Sequence, residues 1–254
     1  MKDHMTNDEN SDRTPGDGRR AELAANLTAV EERITRACEA AGRRRDEVAL
    51  VVVTKTYPAS DVRLLSELGV RQVAENRDQD AAPKAADSAD LPLTWHFVGQ
   101  LQTNKTRSVA GYADFVHSVD RLRLVRSLAV AAGGRDRELG CLVQVGLDAG
   151  SEGTGPRGGV SPGGVAELAD QVAGSPGLRL AGLMTVAPLS GPYADRPREA
   201  FERLREISTR LQADHPAATM VSAGMSADLE EAIAAGATHV RVGSAVLGVR
   251  PRLR

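Results

Sequence analysis

No apolar stretch in this 254-residue chain approaches the roughly 20 residues that a membrane-spanning helix needs. Residues 1–20 are polar and contain no apolar signal core, so the chain is expected in the cytoplasm. An excess of charge of either sign is missing too. There are 32 Lys+Arg against 34 Asp+Glu, a formal net charge of −2. That balance gives no reason to expect nucleic acid or an anionic membrane as a main partner. Cysteine is scarce. Cys38 and Cys141 lie far apart and form no C-x-x-C pair, so they read as reduced thiols in a reducing compartment. No G-x-G-x-x-G follows the first strand signal, which argues against an open dinucleotide-binding sheet.

What is present is an ordinary globular composition, 41% hydrophobic and 26% charged. The chain is organised around Val48-Ala49-Leu50-Val51-Val52-Val53-Thr54-Lys55. A continuous run of strand-forming apolar residues reads as a strand buried on both faces, as in parallel sheets covered by helices. Before it, Leu23, Leu27, Val30, Ile34, Ala37, Cys38 and Ala41 mark one face of an amphipathic helix over 19–41, closed by Gly42. Residues 1–18 lack such periodicity and read as a disordered tail. After it, strand signals recur at 70–74, 93–98, 114–119, 139–145, 178–186, 219–221 and 238–242, separated by helical segments. Pro83 weakens one of those helices, an Ala-rich surface helix over 77–88. Asp120 is a ready N-cap for the helix that follows it, and the glycine-rich 148–160 reads as a mobile loop. Eight strand-then-helix units after one leading helix predict an α/β fold of a single domain over 19–254, a (β/α)8 TIM barrel with an additional N-terminal helix.

In such a barrel the chemistry sits at the C-terminal ends of the strands. Those positions hold Lys55, Glu75-Asn76, His96, His117, Gln144, Met184, Ser222, Gly224-Met225-Ser226 and Arg241-Val242-Gly243-Ser244. An amine partly removed from water at the end of strand one is a candidate nucleophile toward carbonyls. The small residues after strands seven and eight let backbone N–H groups approach an anion. An amine and a phosphate cradle at one barrel end suit a ligand with both an aldehyde and a phosphate, namely pyridoxal 5′-phosphate (PLP). For Arg241 the plain alternative is an ion pair with Glu230 or Glu231. His96 and His117 lack the carboxylates and spacing of a metal site and read as hydrogen-bonded pocket histidines, so no metal is expected.

Val53-Thr54-Lys55-Thr56, Ala74-Glu75-Asn76, Trp95-His96-Phe97-Val98-Gly99, His117-Ser118-Val119-Asp120, Gly224-Met225-Ser226-Ala227-Asp228 and Val240-Arg241-Val242-Gly243-Ser244 occur in that order. As an ordered set they resemble the pyridoxal phosphate homeostasis protein family, whose fold is that of the barrel domain of alanine racemase. The resemblance covers roughly residues 48–251 and is specific as a set. It implies that Lys55 carries PLP as an internal aldimine and that Arg241 faces the pyridine nitrogen. It also implies that Ser226, Gly243 and Ser244 bind the phosphate, with Ser222 beside them, and that Asn76 and Met225 line the pocket. His96 and Asn104 match residues close to it. The chain departs from the usual pattern at Ala74, Arg77-Asp78, Gln100, Gly153-Thr154-Gly155, Ala223, Val242 and Ser244. These departures touch the rim more than the cradle.

The resemblance implies a carrier of PLP and related B6 vitamers that holds the cofactor without robust turnover, with PLP-dependent apo-enzymes as candidate recipients. The alternative is a small PLP enzyme, a racemase or decarboxylase. An arginine shares no proton with the ring nitrogen, which weakens the electron sink that decarboxylation needs. Racemisation needs a proton donor on each face, and only Lys55 is evident. The chain ends soon after strand eight, without the second domain that supplies the opposing tyrosine in alanine racemase. A monomer is expected, with no catalytic residue.

Overall fold

The computed structural model describes residues 15–148 and 158–248. Eight parallel strands close into a barrel in sequence order, with β1 paired to both β2 and β8. They are β1 Ala49–Val53, β2 Gln72–Glu75, β3 Thr94–Phe97, β4 Phe115–Val119, β5 Leu139–Gln144, β6 Leu178–Met184, β7 Met220–Ser222 and β8 His239–Val242. Helix α1, Pro15–Ala40, precedes the barrel. The covering helices are α2 Ala59–Glu67, α3 Asp78–Asp87, α4 Thr106–Tyr112, α5 Leu122–Ala132, α6 Val165–Ala173, α7 Pro197–Asp214, α8 Leu229–Ala234 and the short α9 Ser244–Leu247. No helix among the described residues is long and apolar enough to cross a membrane.

Each covering helix turns its periodic apolar stripe onto the strands. In α5 these are Leu124, Val125, Leu128 and Ala132, and in α7 Phe201, Leu204, Ile207 and Leu211. Burying one such leucine is worth roughly 1.5–3 kcal/mol. The buried side chains fall mainly into two clusters. One gathers α1, β1, β2 and β8 through Leu23, Ile34, Val52, Val73 and Val240. The other gathers the far side of the barrel through Val116, Leu128, Val143, Leu183 and Phe201. Arg19, Asn26 and Arg33 of α1 also make polar contacts. Arg19 Nη2 and Asn26 Nδ2 donate to the Leu247 and Val246 carbonyls of α9, each at 3.0 Å.

The structure corrects several sequence expectations. Helix α1 begins at Pro15 rather than Arg19, since a proline in the first turn lacks only a donor that would be unsatisfied anyway. The expected tail therefore shortens, and its residues 1–14 lie outside the described residues. Helix α3 runs through Pro83, held by burial of Ala81, Lys84 and Ala85, so one face of this expected surface helix is core. Asp120 does not cap α5. Arg121 is the N-cap residue, and the Asp120 carboxylate accepts from the Arg121 guanidinium at 2.5 Å instead. Of the glycine-rich loop, residues 149–157 lie outside the described residues. Its far end is pinned, with Val160 bridged to Val145 and its N–H donating to the Gln144 carbonyl at 2.8 Å.

Candidate functional site

The pairing register places Val51 beside Arg241 and Val52 beside Val242, so β1 and β8 end at the same barrel mouth. Lys55 lies just past the end of β1. It is exposed and makes no hydrogen bond or ion pair among the described residues. This corrects the expectation of an amine partly removed from water, since the strand ends at Val53 and the side chain stands in the open mouth. The chain turns sharply there. The Tyr57 N–H donates to the Thr54 carbonyl at 3.1 Å, closing a four-residue turn with Lys55 second and Thr56 third. Thr56 has φ 70°, a left-handed conformation that a β-branched residue adopts only when its surroundings impose it.

A buried hydrogen-bonded group adjoins the turn. Thr54 is fully buried. Its N–H donates to the Ala74 carbonyl at 2.9 Å and its hydroxyl to Glu75 Oε1 at 2.6 Å. Glu75 is fully buried and Lys84 nearly so, and the two form an ion pair. The Lys84 ammonium also donates to the Thr54 carbonyl at 2.9 Å. A buried pair of this kind needs further hydrogen bonds to offset its desolvation; Thr54 supplies one to each ion, and Glu75 Oε2 has none among the described residues.

Arg241 points into the barrel and is 5% exposed. It does not pair with Glu230 or Glu231, because Arg33 of α1 takes Glu230. Its partners are neutral. Nη1 donates to the Ser222 hydroxyl at 2.6 Å and Nη2 to the Thr185 carbonyl at 2.9 Å. Burial without an ion-pair partner pushes the guanidinium down to about 10, so it stays charged at neutral pH.

From Ser222 a buried chain continues. Its Oγ lies 2.9 Å from His117 Nδ1, and His117 Nε2 lies 2.8 Å from His96 Nδ1. Arg241 only donates, so Ser222 Oγ accepts from it. His96 Nε2, at the far end of the chain, has no partner among the described residues. Both histidines are held neutral. Burial, then His239, pushes His96 down to about 3, and burial, then His96 and Arg241, holds His117 well below the usual histidine range. The direct bond between the two rings leaves no room for a metal ion between them. Among the described residues, no cluster of three His, Cys, Asp or Glu side chains could hold one.

The cradle lies after β7 and β8. Gly224, at φ 88°, packs its backbone against α8, where a Cβ would come within 2.6 Å of Ala232. Asp228 accepts the Met225 N–H at 2.6 Å and so shapes the loop ahead of α8. Arg33 Nη1 donates to the Ser226 carbonyl at 2.7 Å, which ties the same loop to α1. The N–H groups of Ser226, Gly243 and Ser244 find no backbone acceptor among the described residues. Met225 is 39% exposed, and Ser244 is exposed. Asn76 is half-buried at the end of β2, and Gly99 abuts it so closely that a Cβ would lie 2.0 Å from the Asn76 carbonyl oxygen.

Lys55, Asn76, Met225, Ser226, Gly243 and Ser244 thus share one barrel mouth, with Arg241 beneath them. Ser222 lies deeper, its hydroxyl taken by Arg241 and His117. Asn104 is exposed in the short turn of 3-10 helix, Thr103–Lys105, that leads from β3 into α4. Sequence reasoning missed Thr185, Arg33 and the Glu75–Lys84 pair. Lys84 left one trace, a lysine sharing a helix face with Ala81 and Ala85.

The family described as "Alanine racemase, N-terminal domain" matches residues 25–251. The chain is 43% identical over 248 residues to a "Pyridoxal phosphate homeostasis protein" of Mycobacterium leprae, an alignment covering 91% of this chain and 93% of that protein. A solved structure of PipY from Synechococcus elongatus, described as having PLP bound, superposes with TM-score 0.75 at 33% identity, covering 89% of this chain and all of that one. An alanine racemase of Clostridium difficile shares the fold at TM-score 0.66 and 15% identity. There the match covers 92% of this chain and 58% of the racemase.

Proposed function

The chain belongs to the pyridoxal phosphate homeostasis protein family, and on that premise we propose that it holds PLP as a Schiff base on Lys55, as a carrier or buffer without robust turnover. One observation carries this reading: at the same barrel mouth stand a lysine without a partner and a set of backbone donors without backbone acceptors among the described residues. When bound, PLP supplies an aldehyde for the amine and a phosphate for those donors. The N–H groups of Ser226, Gly243 and Ser244 would hold the phosphate. Asn76 and Met225 would flank the ring. Ser222 would fix Arg241 rather than touch the phosphate, because its hydroxyl is already engaged.

The carrier reading rests on proton supply. Arg241 keeps its charge, so it offers a strong hydrogen bond but no transferable proton. The Tyr57 hydroxyl donates to the Gly248 carbonyl and its ring lies 5.7 Å from the Arg19 guanidinium, so it is tied down on Lys55's own side of the mouth. The open mouth lets water and partner proteins reach Lys55, which suits delivery to PLP-dependent apo-enzymes and works against a protected carbanion. The protein acts as a monomer in this reading.

The test is the near-visible spectrum of the purified protein beside Lys55→Ala, before and after borohydride. A band in the wild type alone, fixed by reduction onto Lys55, is the expected result. No band after adding PLP overturns the cofactor. Racemase or decarboxylase turnover at ordinary enzymatic rates that vanishes with Lys55→Ala overturns the carrier reading.

A further inference from the structure

Two observations meet at Thr54. The turn that carries Lys55 is closed by the Tyr57 N–H on the Thr54 carbonyl, at 3.1 Å, and passes through the left-handed conformation of Thr56. Nothing in Thr56 itself favours that conformation, since its side chain is exposed and makes no hydrogen bond among the described residues. A β-branched residue held at positive φ relaxes unless its flanks are fixed. On the Tyr57 side the anchor is the bond to the Gly248 carbonyl. On the Thr54 side the anchor is Lys84, which reaches 30 positions back along the chain to the same carbonyl that closes the turn. Glu75 completes it by gripping both Lys84 and the Thr54 hydroxyl. Thr54, Glu75 and Lys84 are all buried, so water does not compete for these bonds.

We infer that Lys84, paired with Glu75, is a positioning residue for Lys55: it clamps the Thr54 carbonyl and thereby holds the turn in the strained conformation that presents the Lys55 amine at the mouth. The inference rests on the reading that Lys55 is the cofactor-bearing residue. The clamp itself does not depend on any ligand. Lys84 never touches the cofactor and acts only through Thr54. Strain at Thr56 and the clamp are two sides of one balance. Relieving the strain therefore makes the clamp unnecessary, which a merely space-filling ion pair does not predict.

Lys84→Met alone leaves Glu75 buried and unpaired and is prone to misfold, so the variant to make is Lys84→Met with Glu75→Gln, which removes both charges together. Folding is checked by circular dichroism and thermal unfolding. The first readout is hydrogen exchange at the Tyr57 amide, without cofactor. The second is the fraction of Lys55 modified by PLP at fixed concentration, trapped with borohydride and counted by mass spectrometry. In the double variant, Tyr57 exchange is expected to accelerate and Lys55 modification to fall, each by about fivefold, the factor that losing one hydrogen bond of ordinary strength corresponds to. Adding Thr56→Gly, which adopts positive φ freely, is expected to restore Lys55 modification. A folded double variant with unchanged Tyr57 exchange overturns the clamp. Faster exchange with unchanged Lys55 modification, or no rescue by Thr56→Gly, overturns the positioning role. If the wild type is never modified at Lys55, the cofactor reading falls instead, and the exchange result alone decides whether Lys84 holds the turn.

Discussion

At the scale of single residues, the barrel interior is built to keep histidines neutral. His96 and His117 are fully buried, and His239 is pushed down to about 4 by burial and by Arg241. A histidine whose folded pKa lies below its unfolded value adds stability that is intact above about 6.5 and is lost as pH falls toward the folded value. The unfolded chain takes up protons in that window and the folded chain does not. Each fully buried histidine is therefore expected to add a slope of about 1.4 kcal/mol per pH unit below pH 6.5. Urea unfolding at pH 6.5 and at pH 5 reads this slope. His96→Asn is expected to flatten it by about one proton's worth, and an unchanged slope in that variant would show that His96 takes up its proton without unfolding.

At the scale of elements, α1 does more than cover one side of the barrel. Through Arg33 it grips the Ser226 loop and Glu230, and through Arg19 and Asn26 it grips the end of α9. Those are the two elements that border the cradle. The Arg33–Glu230 pair is partly exposed and is worth at most about 1 kcal/mol. The bond to the Ser226 carbonyl adds about 1 kcal/mol. Arg33→Ala is expected to lower stability by about 1–2 kcal/mol. It is also expected to weaken binding of inorganic phosphate, measured by titration calorimetry. Phosphate affinity equal to wild type would confine α1 to packing.

At the scale of the whole molecule, the barrel was legible because each strand and each helix carries its own local period. The alternation of buried runs with amphipathic stretches is written in short windows, and strand ends follow from them. Lys55, Arg241 and the Gly243-Ser244 turn were legible for the same reason: each sits at the end of a strand. What could not be read is what closure brings together. The neutral partners of Arg241 come from β7 and from Thr185, just past β6, so no spacing signals that its charge goes without an ion pair. The burial of Lys84 depends on how α3 lies across β1 and β2, which a single lysine in an alanine-rich helix does not announce. The exposure of Lys55 likewise depends on where β1 stops and on the turn at Thr56, not on the apolar run before it.

The division of the core into two clusters bears on cooperativity. Lys55, Gly243 and Ser244 extend from strands of the α1 cluster, while the groups that hold Arg241 belong to strands of the other. Two such bodies can melt as separate units when little ties them together. Any ligand that engages both the cradle and Arg241 couples them. Scanning calorimetry of the cofactor-free protein is expected to show a transition broader than a two-state one, with a van't Hoff enthalpy below the calorimetric enthalpy, and saturating PLP is expected to bring the two into agreement. Equal enthalpies in the cofactor-free protein would mean that the halves already melt as one. When the two enthalpies agree only with PLP bound, occupancy of the site is recorded in the sharpness of unfolding, a property of the whole chain, as well as in a spectrum at one lysine.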